Sequence, residues 1–281
     1  MKIKNIDKAA KRIIQAVENG EQIIIFGDSD LDGVSSMVIT KETIDNLVSI
    51  LPQEKKNSFP TVLAFSPVRR NEGYGLNSKA LEFIKSKVDR GLIVTMDCGI
   101  TNFKEVDIAN AGGFSVVIVD HHKQIGSLPN AEIIVDPKQE GDDYPFKEYC
   151  NAGLAFKLAE EILEDKMSSM LRDSFLELVA LATISDMMPE VGENEEWIKA
   201  GLEKIETSQR PSLMAIFSLS DPMDFYSKRD MILKINSALN SPTITDHIPK
   251  PYSFLIESDL DKAKITAKEL FEESRQKQGD C

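Results

Sequence analysis

The sequence predicts an α/β protein: a parallel sheet flanked by helices, followed by a mainly helical C-terminal part that ends in a connector helix. Two observations predict it. Short uninterrupted apolar runs, such as Ile23-Ile24-Ile25-Phe26 and Ser115-Val116-Val117-Ile118-Val119, alternate with helical patterns up to about residue 150. Runs of that kind are strands buried on both faces of a parallel sheet. The same runs deliver carboxylates and imidazoles at their ends: Asp28, Asp30 and Asp32 after the first, Asp97 after residues 92–96, Asp120-His121-His122 after residues 115–119, and Asp136 after residues 133–135. Such ends gather at the carboxyl edge of the sheet, where open α/β folds place their ligands, and oxygen-rich sets with some imidazole suit hard cations.

Each element has its own signal. Ile6, Ala9, Ile13 and Val17 form one helical stripe over residues 6–18, with Gly20 placed as its C-cap. After the first strand, Gly33 opens a helix to about Leu47, with Ser35 and Ser36 in its first turn. Residues 52–60 read as a polar loop, 62–65 as a second strand and 69–77 as a further loop. A helix over 78–88, a strand over 92–96, a helix over 102–111 and strands over 115–119 and 132–135 complete the alternation. Long helical patterns then run over 152–164, 168–185 and 195–206, and most of the remaining chain is also helical. The last stretch, 259–277, is alternately charged with Leu260, Ala263, Ile265, Ala267 and Leu270 between. The acidic residues of 186–206 read as a solvated helix face.

At 281 residues, with 42% hydrophobic and 28% charged, the chain is large enough for a real core in one large domain or two modest ones. No apolar run approaches the ~20 residues that a bilayer span requires. The N-terminus passes straight into an amphipathic helix, and the three cysteines are widely spaced in no ligand pattern, so a cytoplasmic protein without membrane association is expected. A net charge of −13 excludes a general nucleic-acid-coating surface. It does not exclude a nucleic-acid enzyme, because carboxylates that hold cations are themselves acidic and the cations reverse the local field.

Three readings fit Gly27-Asp28-Ser29-Asp30-Leu31-Asp32-Gly33. An EF-hand loop has its acidic positions here, but Ile39 stands where the closing Glu belongs and a strand precedes it. The nucleophile loop of haloacid-dehalogenase-type phosphatases has its first Asp directly after the strand, whereas Gly27-Asp28-Ser29 intervenes. A metal-binding turn gains from the other strand ends. Any one strand-end Asp is most simply a helix cap; several together are not. Thr183-Ile184-Ser185-Asp186 adds another Asp at the end of an apolar helix.

Asp30-x-Asp32-Gly33, the Asp97 strand end, Asp120-His121-His122 and Asp186 resemble, in order and spacing, the motifs of the DHH phosphoesterase family. Within it, Glu72-Gly73-Tyr74-Gly75-Leu76, Asn151-Ala152-Gly153-Leu154-Ala155-Phe156 and Asp186-Met187-Met188-Pro189 are similar to RecJ-type single-strand exonucleases. The resemblance implies a two-metal Mn²⁺ site, with Mg²⁺ as substitute, held by Asp30, Asp32, Asp97, His121 and Asp186, with Asp97 and Asp186 as bridges. Two such ions activate water and stabilise attacking and leaving oxygens, giving a phosphomonoester and a free hydroxyl. His122 would contact the scissile phosphate or leaving oxygen, Asp28 and Asp120 would orient ligands, and Arg69 would bind phosphate. Gly153 would let backbone approach substrate or permit tight helix packing. RecJ proteins carry an Arg-x-Asn-Ala-x-Gly-Arg stretch; here its match is Lys234-Ile235-Asn236-Ser237-Ala238-Leu239-Asn240, which keeps Asn236 as a substrate contact and loses the Gly-Arg pair.

The implied organisation is a catalytic domain over 1–206 and a helical extension with connector helix over 207–281, without the DHH-associated second domain. The implied function is 5′-to-3′ exonucleolytic hydrolysis of single-stranded DNA, with single-stranded nucleic acid or short oligonucleotides as ligands and repair or replication proteins as partners. The competing expectations are a phosphodiesterase of oligonucleotides or cyclic dinucleotides, and a non-catalytic binding module.

Overall fold

The computed structural model describes residues 1–219 and 228–279. Helix α1 (Ile6–Glu18) leads into β1 (Ile23–Gly27), α2 (Leu31–Ser49), α3 (Gln53–Ser58), β2 (Leu63–Phe65), α4 (Arg69–Glu72), α5 (Ser78–Lys87), β3 (Gly91–Met96), α6 (Phe103–Ala111), β4 (Phe114–Val119) and β5 (Ile133–Val135). Next come α7 (Asn151–Leu163), α8 (Ser169–Ser185), α9 (Glu193–Ile205), α10 (Pro211–Leu219), α11 (Lys228–Leu239), the strand pair β6 (Ile244–Thr245) and β7 (Ile248–Pro249), α12 (Lys250–Leu255) and α13 (Leu260–Gly279).

The five strands β2-β1-β3-β4-β5 are all parallel, as the alternation predicts. Successive residues of each strand serve opposite faces. Ile23, Ile25, Val94, Val117 and Val119 join the larger core with α1, α2, α7 and α8, while Ile24, Phe26, Ile93, Val116 and Ile118 join a smaller one with α5 and α6. That two-sided burial is why these strands read as unbroken apolar runs.

Register then sets the site. Gly27 pairs with Met96, Met96 with Val119 and Val119 with Val135, so Asp28, Asp97, Asp120 and Asp136 come next in one row. The ladder continues through them: Asp28 N–H donates to Met96 O (3.2 Å), Asp97 N–H to Val119 O (3.1 Å) and Asp120 N–H to Val135 O (3.1 Å). Neighbouring parallel strands are ~4.8 Å apart, so one aspartate per strand end makes a dense row of carboxylates.

Several sequence expectations shift. Residues 53–58, expected as loop, form the exposed helix α3, since Gln-Glu-Lys-Lys are good helix formers behind Pro52. Part of the expected 69–77 loop is the single-turn α4. Helix α2 begins at Leu31, ahead of Gly33, because the Asp30 side chain accepts from Gly33 N–H and caps it. Asp32 is therefore already helical, which removes the EF-hand reading. Among the described residues the helical expectation after 206 holds apart from short connections and the β6–β7 hairpin. Leu213, Ile216, Ile235, Leu239, Phe254, Leu255 and Leu270 belong to the same core as α2 and α8, so residues beyond 206 buttress the sheet domain. Cys98 and Cys150 are buried and unpaired, and Cys281 lies outside the described residues. Among the described residues no helix is long and apolar enough to cross a membrane.

Helices α8 and α9 cross at Gly201, where an added Cβ would lie 2.2 Å from Leu176 O and 2.6 Å from Ala180 Cβ. Gly201→Ala should push α9 off the helix that ends in Asp186 and lower stability by about 1–3 kcal/mol, as overpacking does. A denaturation midpoint equal to that of the parent would contradict this packing.

Candidate metal centre

The sheet edge and two helix termini bring the acidic residues together. Asp28 follows β1, Asp30 caps α2 and Asp32 lies in its first turn; Asp97 follows β3, Asp120-His121-His122 follow β4, and Asp186 is the C-cap residue of α8. Ligand atoms of Asp32, His121 and Asp186 lie within 4.8 Å of one another, as do those of Asp97, His121 and His122, and those of Asp28, Asp30 and Asp97. The three groups share His121 and Asp97, so they form one continuous centre.

Asp32 and His121 are oriented by backbone groups from outside the cluster. Both oxygens of buried Asp32 accept backbone N–H groups from the first turn of α7: Asn151 at 2.6 Å and Ala152 at 2.7 Å. The helix N-terminus thus steadies a carboxylate that nothing else neutralises. His121 Nδ1 lies 2.8 Å from Tyr149 O, and a carbonyl can only accept, so Nδ1 carries the proton. Nε2 then presents its lone pair to Asp97 Oδ1 at 3.1 Å, Asp32 Oδ2 at 3.8 Å and Asp186 Oδ2 at 3.8 Å. Burial, with His122 nearby, lowers the His121 pKa to about 4, so the ring is neutral at pH 7.

His122 is held differently. Its Nδ1 bonds Asp120 Oδ1 at 2.7 Å, and its ring is exposed. That hydrogen bond and the charge of Asp120 outweigh partial burial and raise the His122 pKa, favouring the protonated ring. Asp120 also accepts the N–H groups of His121 (2.8 Å), His122 (3.1 Å) and Ile100 (3.0 Å). Burial opposes its ionisation, yet His122 and these N–H groups hold its carboxyl below the usual range. Asp120 thus fixes the orientation of the His122 ring through Nδ1.

The remaining carboxylates are strained by their own charge. Burial and then its acidic neighbours raise Asp97 well above the carboxylate range, and Asp28 and Asp186 are raised by burial and then by Asp30. Asp97 has the left-handed φ of 62°, a conformation that non-glycine residues keep at functional sites when their surroundings enforce it. Its buried Oδ1 and the buried Oδ2 of Asp28 accept no hydrogen bond, since His121 Nε2 near Asp97 carries no proton to give. Orphaned carboxylate oxygens, raised pKa values and an imidazole lone pair on one point fit a divalent cation: the donor set is mostly oxygen with one nitrogen.

Arg69 is the cation the chain itself supplies. Its Nε donates to Asp28 Oδ1 (2.7 Å) and its Nη2 to Asp30 Oδ2 (3.0 Å), and the guanidinium lies 4.9 Å from the centroid of the Tyr74 ring. Two other expected substrate contacts are placed elsewhere. Gly153 is buried where an added Cβ would meet Trp197 Cζ3 at 3.0 Å, so its size serves helix packing. Asn236 is buried and donates to Leu181 O at 3.3 Å, bracing α11 on α8. Asn240 instead reaches the centre's frame: its Oδ1 accepts Leu31 N–H (3.0 Å) and its Nδ2 donates to Ser185 Oγ (3.0 Å), tying the start of α2 to the end of α8. Sequence reading also missed the backbone roles of Tyr149, Asn151 and Ala152. Asn151-Ala152 lay within a noted motif, but carbonyl and N–H contacts leave no mark in residue type.

A parallel sheet whose strand ends converge carboxylates and one unprotonated imidazole nitrogen defines a divalent-cation centre. The chain belongs to the DHH family, matching its N-terminal domain over residues 22–183. It is 38% identical over 220 residues to the single-stranded-DNA-specific exonuclease RecJ of Bacillus subtilis (strain 168), covering 78% of this chain and 26% of that protein. It is 28% identical over 286 residues to RecJ of Salmonella typhimurium, covering 95% of this chain and 47% of the relative. The chain thus spans less than half the length of these curated relatives. A crystal structure of exonuclease RecJ bound to manganese matches with a TM-score of 0.83 at 25% identity, covering 99% of this chain and 68% of that one. RecJ of Thermus thermophilus in complex with Mn²⁺ matches with a TM-score of 0.79 at 23% identity, covering 99% and 39%, a likeness of fold.

The pKa of Asp32 is raised to about 7 by burial and then by Asp186, against the pull of the Ala152 and Asn151 N–H groups. Because the folded-state value is raised, this carboxyl contributes stability to the metal-free fold at low pH and loses it as pH rises through about 7. A cation that needs the ionised form should bind with the opposite trend. Calorimetric titration with Mn²⁺ is expected to show affinity rising from about pH 6 to about pH 8, up to about tenfold per pH unit for each proton displaced, with proton release. An affinity flat over that range would contradict the picture.

Proposed function

We propose that this chain is the catalytic part of a metal-dependent phosphodiesterase that hydrolyses single-stranded DNA from the 5′ end. The observation that supports it most is the convergence of Asp30, Asp32, Asp97, His121 and Asp186 on one continuous centre. These five residues would hold two Mn²⁺ or Mg²⁺ ions, with Asp97 and Asp186 shared between them. When bound, such a pair supplies Lewis-acid polarisation of the phosphoryl group and makes water acidic enough to attack at neutral pH.

The chain's own groups do the rest. Protonated His122, aligned by Asp120, directs Nε2–H at the scissile phosphate or at the leaving oxygen, where charge develops. Arg69 exchanges Asp28 and Asp30 for a substrate phosphate, a role suited to a fork of donors. Asp28 steadies that guanidinium until the phosphate arrives, and the N-terminus of α7 holds Asp32 in place and favours its ionised form. The sheet domain over 1–206 carries the chemistry, and residues 207–281 form the helical extension that supports it. The setting is the cytoplasm, and replication or repair proteins are the expected company.

A second reading, hydrolysis of short oligonucleotides or cyclic dinucleotides, draws support from Asn240. It stands where the RecJ pattern has the arginine of its Gly-Arg pair, and its side chain is turned inward onto Leu31 and Ser185. Fewer cations along the strand favour a shorter substrate. A non-catalytic module is disfavoured because the ligand set is complete.

Incubation of 5′- and 3′-labelled single-stranded DNA and RNA and of cyclic dinucleotides with Mn²⁺ separates these readings. The 5′-labelled DNA should yield labelled mononucleotide from the first cut while the 3′-labelled strand shortens stepwise. His122→Ala should lower turnover by about 10²-fold or more. Consumption of cyclic or very short substrates alone would favour the second reading, and no hydrolysis in any arm would overturn the enzyme.

A further inference from the structure

Helix α4 carries Arg69 but is only four residues long, has no side-chain cap at its N-cap residue Val68, and buries none of its residues. A single turn is not stable by itself. Something else must hold Arg69 over Asp28 and Asp30, and the geometry points outside the sheet domain.

The β6–β7 hairpin turns through Asp246 and His247, both with positive φ (49° and 62°). Two-residue hairpins of that shape favour Asn-Gly, because other side chains are strained there. His247 nevertheless occupies the second position, where its carbonyl, its ring face and its Nε2 all make contacts. Its carbonyl accepts Ser66 N–H at 2.8 Å, just past the end of β2. Its ring stacks on Phe83 of α5, with centroids 3.9 Å apart and planes 27° apart. Its Nε2 donates to Glu72 Oε1 at 2.9 Å, with both side chains largely buried. The other oxygen of Glu72 accepts the N–H of Val68 at 3.0 Å. Glu72 therefore closes α4 from its last residue back to its N-cap, and His247 fixes Glu72.

We propose that His247 is a positioning residue for Arg69, acting through Glu72. Strain kept at a tight turn persists where the surrounding structure enforces it; here the stack on Phe83 anchors the ring to α5, and the contacts to Ser66 and Glu72 lead to the strand end and helix that present the guanidinium. The residue lies beyond the part of the chain that matches the family's N-terminal domain, residues 22–183. The inference rests on the reading of Arg69 as the group that receives substrate phosphate.

The test uses the full chain with Mn²⁺ and compares the parent with His247→Ala, His247→Gln, Arg69→Ala and the Arg69→Ala/His247→Ala pair. Hydrogen exchange is read at the amides of Asn71, Glu72 and Gly73, which bond Val68 O and Arg69 O. Loss of a charge-assisted hydrogen bond should speed their exchange in His247→Ala by about tenfold or more, and KM for a single-stranded oligonucleotide should rise about tenfold while kcat falls far less. His247→Gln, which keeps a donor, should recover part of both. The double variant should be no worse than Arg69→Ala alone. If His247→Ala unfolds globally, α8 amides lose protection too and His247→Gln alone decides. Unchanged protection of α4 in a folded His247 variant, or additive losses in the double variant, would overturn the proposal. If Arg69→Ala itself leaves KM unchanged, the phosphate role of Arg69 falls, while the exchange data still judge the clamp.

Discussion

The mutual repulsion of carboxylates buried at one edge of a parallel sheet is the constraint around which this molecule is built. In-register pairing of β1, β3, β4 and β5 makes the crowding unavoidable, since Asp28, Asp97, Asp120 and Asp136 each take the next place after a paired residue. Burying like charges raises their pKa values and destabilises the metal-free fold at neutral pH. The surroundings offset part of this with oriented dipoles: the start of α7 on Asp32, three backbone N–H groups on Asp120, and the guanidinium of Arg69 on Asp28 and Asp30. What they leave unsatisfied, above all Asp97 Oδ1 and Asp28 Oδ2, is what a cation would satisfy.

The two adjacent histidines show how one backbone step divides labour. His121 turns inward, donates its Nδ1–H to the Tyr149 carbonyl and is neutral, with its Nε2 lone pair among carboxylates. His122 turns outward, leans on the Asp120 carboxylate and is pushed toward the protonated form. The first is suited to hold a cation and the second to donate to an oxygen on which charge grows. Their roles are set by the hydrogen bond at the other nitrogen of each ring.

The sheet was legible because burial on both faces leaves no charged residue and only Thr95 and Ser115 as polar ones within β1, β3 and β4 until the strand ends, and the acidic residues stand out at that point. The metal-ligand candidates were legible for the same reason. Residues 53–58 and 69–72 were not, because single-turn helices on the surface carry no periodic apolar pattern. Asn236 was read toward substrate, and Gly153 either toward substrate or as a packing residue, because a motif records which residue is present and not which way it faces; Gly153 lies under Trp197 and Asn236 against α8. Asn240 was noted only as the place where the Gly-Arg pair is lost, and its ties, like those of His247, escaped notice for a further reason. Their partners, Leu31 and Glu72, lie more than 170 residues away in sequence, and contacts of that separation leave no local signal.

The proposed chemistry depends on the carboxylate group being a binuclear centre, and electron paramagnetic resonance of the Mn²⁺-titrated chain tests that most directly. Two ions per chain are predicted, with the isolated-ion hyperfine pattern giving way to an exchange-coupled spectrum as the second ion binds, because carboxylates shared between two ions would couple them, as in two-metal sites with ions roughly 3.5–4 Å apart. A single bound ion, or two ions that remain magnetically independent at saturation, would contradict it.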